Sequence, residues 1–110
     1  HHCLIRISAH DVRAATGVQR LVDVAPLDLV YVADLERMNL VPTAQRETLA
    51  AVSAGAIAQN VYLYAASTGL AAVERSLFSY ESLARAMHLP PYHRILLTQT
   101  VGYPEADGAV

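Results

Sequence analysis

Lysine and tryptophan are missing from this 110-residue sequence altogether, and cysteine occurs once. All eight basic residues are arginine, they form no basic block, and the net charge is −2. A nucleic-acid surface built on excess positive charge is therefore not expected. The lone Cys3 can form no internal disulfide and no multi-cysteine metal site, which suits a reducing compartment such as the cytoplasm. Its thiol is expected to be small and half-buried. No basic segment followed by an apolar one opens the chain, so no secretory signal is read there. His1 and His2 are either native or the end of a purification tag. Charged residues make up only 16% of the chain against 54% hydrophobic, which excludes a disordered tail and leaves little charge to cover a monomer. The length suits a single domain, 1–110, with one ordinary core.

Generic catalytic signatures are equally scarce. There is no Gly-x-Gly-x-x-Gly, no P-loop, no Gly-x-Ser-x-Gly and no His-Glu-x-x-His. His88 and His93 are separated by Pro90-Pro91, a poor geometry for one metal-binding helix face, so no metal is expected. Asp34 and Glu36 read as a solvated acidic turn after a strand, not as an acid–base pair. No catalytic side chain is assigned.

Alanine, by contrast, fills 19 positions, many of them in one long segment. From Thr48 to Val73 no charged residue occurs in 26 positions, long enough to cross a bilayer. Ser53, Gln59, Asn60, Ser67 and Thr68 within the run argue instead for a core helix, opened at Pro42-Thr43 and closed at Gly69. At 100° per residue, Leu49, Val52, Ile57, Val61, Leu63 and Tyr64 fall on one side, while Ala50, Ala51, Ala54, Gly55 and Ala58 fall on the other. The large side is expected to fill the chain's own core, and the small side to admit a second subunit's helix. Asn60, among the large residues, is expected to be satisfied by a neighbouring loop.

Shorter elements flank this helix. Cys3–Ile7 reads as a strand. Asp11 caps a short helix over Val12–Ala15, stopped by Gly17. Leu27–Ala33 reads as a strand buried on both faces. Ser79 caps a helix over 80–87 that Pro90-Pro91 ends, and Arg94–Val101 reads as a last strand.

Three segments carry a family resemblance. Ala56-Ile57-Ala58-Gln59-Asn60-Val61-Tyr62-Leu63-Tyr64-Ala65-Ala66-Ser67-Thr68-Gly69-Leu70 resembles the central interface helix of the nitroreductase family, in its SagB-type branch. Ile95 through Pro104, ending Gly102-Tyr103-Pro104, resembles that family's last core strand, and Ala25 through Val32 an earlier one. The three stand in the family's order. The resemblance implies an α+β fold, a small sheet on a long central hydrophobic helix, corresponding to the C-terminal half of the family domain and forming a homodimer. It implies FMN at the subunit interface and hydride transfer from NAD(P)H to a nitroaromatic or quinone-type acceptor, with the flavin carrying the chemistry.

By position, the resemblance makes Glu74, Arg75, Ser76 and Leu77 the flavin-facing stretch, where backbone N–H groups approach the N5 edge. Related sequences often have Gly at Ser76 or Leu77. The family's arginine-rich phosphate segment and its Ser/Asn loop belong to the N-terminal half, and Glu105 and Asp107 follow where Lys or Arg is common. A phosphate dianion needs such cations or a helix N-terminus, so this stretch alone is expected to bind FMN weakly or not at all. The alternative is a flavin-free dimerisation module without catalytic activity. Neither reading involves a membrane.

Overall fold

The computed structural model describes residues 3–17 and 24–104. Three antiparallel strands, β1 (Leu27–Asp34), β2 (Ala71–Arg75) and β3 (His93–Gly102), form one sheet in the order β1-β3-β2. The last strand in sequence is thus the middle one. β1 meets β3 from Leu27↔Val101 to Asp34↔His93, with a slip in register between Tyr31 and Val32, and β2 meets it from Ala71↔Gly102 to Arg75↔Thr98.

Across one face of the sheet lies α1 (Thr43–Thr68). Its C-terminus is set by Gly69, whose φ of 75° is left-handed and costs glycine nothing. The Leu70 N–H then donates to the Ala65 carbonyl at 2.9 Å, and the chain enters β2 immediately. The opposite face, where Thr98 and Thr100 point, is covered by a 3-10 turn at Arg13–Thr16. Beside that turn packs α2 (Tyr80–Ala86), burying Leu83 completely. The Ser79 hydroxyl accepts the Ser82 N–H at 3.2 Å, the cap expected there. Asp11 likewise accepts the Arg13 N–H at 3.0 Å, although the element it starts is a single 3-10 turn.

The two sides of α1 are placed opposite to expectation. Ala50, Ala54, Ala58 and Ala65 are the buried positions and pack on the chain's own sheet. Val52, Leu63 and Tyr64 are 66%, 60% and 65% exposed, and Leu49 and Ile57 are exposed as well. The reason is the bulk of the sheet face beneath. Gln99, wholly buried, reaches up and donates from Nε2 to the Ala58 carbonyl at 3.1 Å. The methyl side chains of Ala54 and Ala58 let the helix backbone come close enough for this contact. By length and composition α1 could cross a membrane, but it owes its inward alanine edge to this packing.

Other expectations are also corrected. Cys3–Ile7 forms no strand; Leu4, Ile5 and Ile7 are exposed, and so is the Cys3 thiol, because no strand of the sheet pairs with them. β1 is half-buried, not enclosed, because it is an edge strand covered on one flank only. Asn60 is exposed, and its amide has no protein partner among the described residues. No loop reaches it. His1, His2, Glu105 and Asp107 lie outside the described residues.

Candidate functional site

The stretch Glu74–Leu77 begins inside a strand and ends outside it. Because α1 turns into β2 within two residues, β2 runs back along β3, and successive side chains point to opposite faces of the sheet. Glu74 lies on the α1 side with its carboxylate in solvent. Its N–H donates to the Tyr62 hydroxyl of α1 at 2.5 Å. Arg75 turns the other way and is 94% buried, at a relative exposure of 6%. Its guanidinium lies against Gly17, where a Cβ would overlap it, and its carbonyl accepts the Thr98 hydroxyl at 3.2 Å. The same hydroxyl lies 3.1 Å from the Thr16 carbonyl, so the start of the chain is tied to β2 and β3 together.

Ser76 and Leu77 follow the last strand residue and are both exposed. Among the described residues their N–H groups have no acceptor, whereas the Phe78 N–H folds back to the Ser76 carbonyl at 3.2 Å. Two neighbouring amide donors at the end of β2 are therefore left without an acceptor among the described residues. They suit the electron-rich edge of a heteroaromatic ring or an anionic oxygen. Of the four residues singled out in the sequence, these two keep unengaged main-chain N–H groups among the described residues. Glu74 N–H is already engaged, and Arg75 is a buried prop.

Beside this strand end sits a polar group that sequence reasoning passed over. The Tyr31 hydroxyl of β1 donates to Gln99 Oε1 at 2.5 Å, and Gln99 passes the contact on to the Ala58 carbonyl. Burial, together with the negative charge of Glu74 and the proximity of Tyr62, pushes the Tyr31 phenol above its ordinary pKa. The available signal was the run Thr98-Gln99-Thr100 directly after the apolar Ile95-Leu96-Leu97, which places polar side chains on both faces of a central strand.

Groups able to hold an anion or metal are few. Arg46 is engaged by the carbonyls of Val41 and Leu35, Arg94 by Glu47 at 2.8 Å, and Arg13 by Asp11 at 2.8 Å. His93 lies 3.6 Å from Asp34, at the junction of β1 and β3, and His88 is exposed beyond α2. Among the described residues no three His, Cys, Asp or Glu side chains gather as a metal site. Asp34 caps the turn after β1 by accepting the Glu36 N–H at 3.1 Å, so these two acids are indeed a turn.

Two hollows lie along the β1 flank of α1. One, of about 480 Å³, is lined by Val30, Val32, Met38, Ser53 and Leu96 among others; the second, of about 380 Å³, by Leu27, Leu29, Asn60, Tyr64 and Val101. Ile57 stands in the wall of both.

Known proteins resemble this arrangement. A crystal structure of a nitroreductase-like protein from Ralstonia eutropha JMP134 superposes with a TM-score of 0.82 and 45% sequence identity, over 91% of this chain and 48% of that one. A nitroreductase-like protein of Methanocaldococcus jannaschii is 28% identical over 100 residues, which is 87% of this chain and 50% of that protein. The chain thus spans about half the length of the relatives it matches. The Nitroreductase family model matches residues 5–103, nearly the whole sequence, and with the long helix, the three strands and the shared architecture it establishes that this chain belongs to the nitroreductase family.

Proposed function

We propose that this chain is the ring-side part of an FMN-dependent oxidoreductase, passing a hydride from NAD(P)H to a nitroaromatic, quinone or similar acceptor and working as a homodimer. The observation that carries this reading is the pair of free, adjacent amides of Ser76 and Leu77 at the end of β2. Bound FMN would supply the redox chemistry, accepting a hydride in one half-reaction and giving it up in the next. The chain's own residues do the positioning. Ser76 and Leu77 N–H groups would donate to the ring edge, where negative charge collects on reduction. Tyr62, by accepting the Glu74 N–H, fixes the strand just ahead of those donors. Buried Arg75 holds the same strand from the opposite face.

Among the described residues no arginines gather as a phosphate clamp: Arg13, Arg46 and Arg94 are engaged within the fold, and exposed Arg6, Arg37 and Arg85 lie on three separate segments. The phosphate clamp is then the task of the rest of a complete nitroreductase domain. Leu49, Val52, Ala56 and Leu63, on the side of α1 away from the sheet, would form the two-fold contact. Burying each large side chain there contributes about 1.5–3 kcal/mol before association costs.

A chimera tests the reading: this chain replaces the matching half of the Ralstonia protein. We expect a yellow protein that oxidises NAD(P)H with a nitroaromatic or quinone acceptor. Ser76→Pro, which removes one donor, should lower flavin affinity and slow flavin reduction with the helical circular dichroism unchanged. A folded, colourless chimera would overturn the assignment and favour the flavin-free pairing module. So would equal flavin affinity and turnover in Ser76→Pro.

A further inference from the structure

Tyr62 follows Ala58 by one turn of α1, on the side that meets β2. Its hydroxyl accepts the Glu74 N–H at 2.5 Å. A phenol hydroxyl that accepts one hydrogen bond still has its own hydrogen to give. Among the described residues no acceptor takes that hydrogen, the Glu74 carboxylate included. The group is nevertheless held in place. Gln99 grips the Ala58 carbonyl one turn back at 3.1 Å, and just beyond, the Leu70 N–H closes the helix on the Ala65 carbonyl at 2.9 Å. Tyr62 itself is half-buried.

The strand determines what lies beside this hydroxyl. In an antiparallel ladder, successive residues turn their N–H groups alternately toward the partner strand and away from it. Glu74 gives its N–H to Tyr62, so at this residue the donor turns away from β3. Carried to Ser76, the first residue past β2, the alternation turns its N–H to the same edge, about 7 Å farther along. Ser76 N–H also lacks an acceptor among the described residues. One edge of β2 therefore carries a phenol hydrogen at one point and a main-chain hydrogen at the next. A fused heteroaromatic ring with acceptor atoms along its rim spans such a gap, whereas a small anion meets one end of it.

We infer that the Tyr62 hydroxyl is a third ring-side donor, giving its hydrogen to the flavin held at Ser76 and Leu77 while it accepts the Glu74 N–H. This rests on the proposed function, which supplies the flavin. Adding a hydride leaves the ring system with one more negative charge, so a fixed donor there holds the reduced form more tightly than the oxidised one. Tyr62 is then a determinant of redox potential as well as a strut of the strand.

The test uses the chimera of this chain with the other half of the Ralstonia protein, and FMN is the probe. Dissociation constants are measured for oxidised FMN in air and for reduced FMN without oxygen, and the midpoint potential by equilibration with redox dyes. Tyr62→Phe should weaken binding of reduced FMN about tenfold, and of oxidised FMN much less, so that the midpoint potential falls. That variant also leaves the Glu74 N–H without its acceptor. A second replacement keeps both bonds: a ring-fluorinated tyrosine at position 62, studied below neutral pH so that the phenol retains its proton, is a stronger donor and a weaker acceptor of the same shape. It should raise the midpoint potential above that of the parent. A hydroxyl that only accepts from Glu74 would give a fall or no change, and either result would overturn the inference. So would an unchanged ratio of the two dissociation constants in Tyr62→Phe. A yellow chimera that fails these measurements leaves the proposed function standing, whereas a folded chimera that binds no FMN overturns both.

Discussion

Gln99 in the middle strand and Ala58 midway along the long helix are joined directly, side-chain amide to main-chain carbonyl, at 3.1 Å. Both residues are fully buried. The bond sets how closely helix and sheet approach, and Tyr31 completes it from the neighbouring strand.

Replacing Gln99 by Leu should therefore destabilise the fold by about 1–3 kcal/mol, because the Tyr31 hydroxyl loses its acceptor inside the protein. Adding Tyr31→Phe should recover part of that loss, since both polar partners are then gone. Urea unfolding of the two single variants and the double variant measures the coupling. Strict additivity of the two changes would show that the bond carries no coupling energy.

Bulk on the alanine edge should act on folding and not on self-association. Ala54 and Ala58 are 3% and 0% exposed, so Leu at either position overfills the helix–sheet contact and should cost about 1–3 kcal/mol. Thermal unfolding reads this directly. Ala54→Leu with unchanged stability and impaired pairing would return that edge to the subunit contact that the sequence alone suggested.

His88 should be a stabilising site for glycine. It has φ 55° just after α2, where the His88 N–H donates to the Arg85 carbonyl and the Leu89 N–H to the Ala84 carbonyl, at 3.1 and 3.0 Å. This is a left-handed helix stop, a conformation that costs a residue with a Cβ about 1 kcal/mol. His88→Gly should raise the unfolding temperature by about 4–8 °C, and His88→Val should lower it.

Two groups should titrate away from their ordinary ranges, in opposite directions. The side-chain and main-chain N–H groups of Arg13 hold Asp11 down from 3.8 to about 2. Its contribution to folding is thus complete above 3.8 and disappears as pH falls through about 2. Tyr31 is raised, chiefly by burial. Its contribution is complete below the unfolded tyrosine value of 10 and fades as pH climbs through the higher folded value. NMR titration of the Asp11 carboxyl and absorbance of the phenolate near 295 nm follow the two. An Asp11 midpoint near 4, or Tyr31 ionising with the exposed tyrosines, would contradict the contacts described.

The boundaries of the elements were legible because each is set by local chemistry. Pro42, Gly69, Ser79 and Pro90-Pro91 end or begin helices by constraints within a few residues. The orientation of α1 was not legible. Periodicity separates a large face from a small one, but which of them turns inward depends on the partner surface, here Tyr31 and Gln99 of strands distant in sequence. Cys3–Ile7 has strand-like composition, yet a strand also needs a neighbour, and none pairs with it among the described residues. The donors at Ser76 and Leu77 were placed by family position alone, since free amides leave no mark on side-chain type. The polar triplet around Gln99 was visible, but not its reach to a helix carbonyl.

The strand order has a consequence for biosynthesis. Neither β1 nor β2 touches the other, and both wait for β3, which the ribosome delivers after them. Until residues 93–102 emerge, the nascent helix has no sheet to lie on, and its alanine edge and its larger apolar flanks are wet together. Sheet assembly is consequently a late event of long-range closure, and the interval before it is when chaperones, or premature pairing with another nascent chain, would find this polypeptide most receptive.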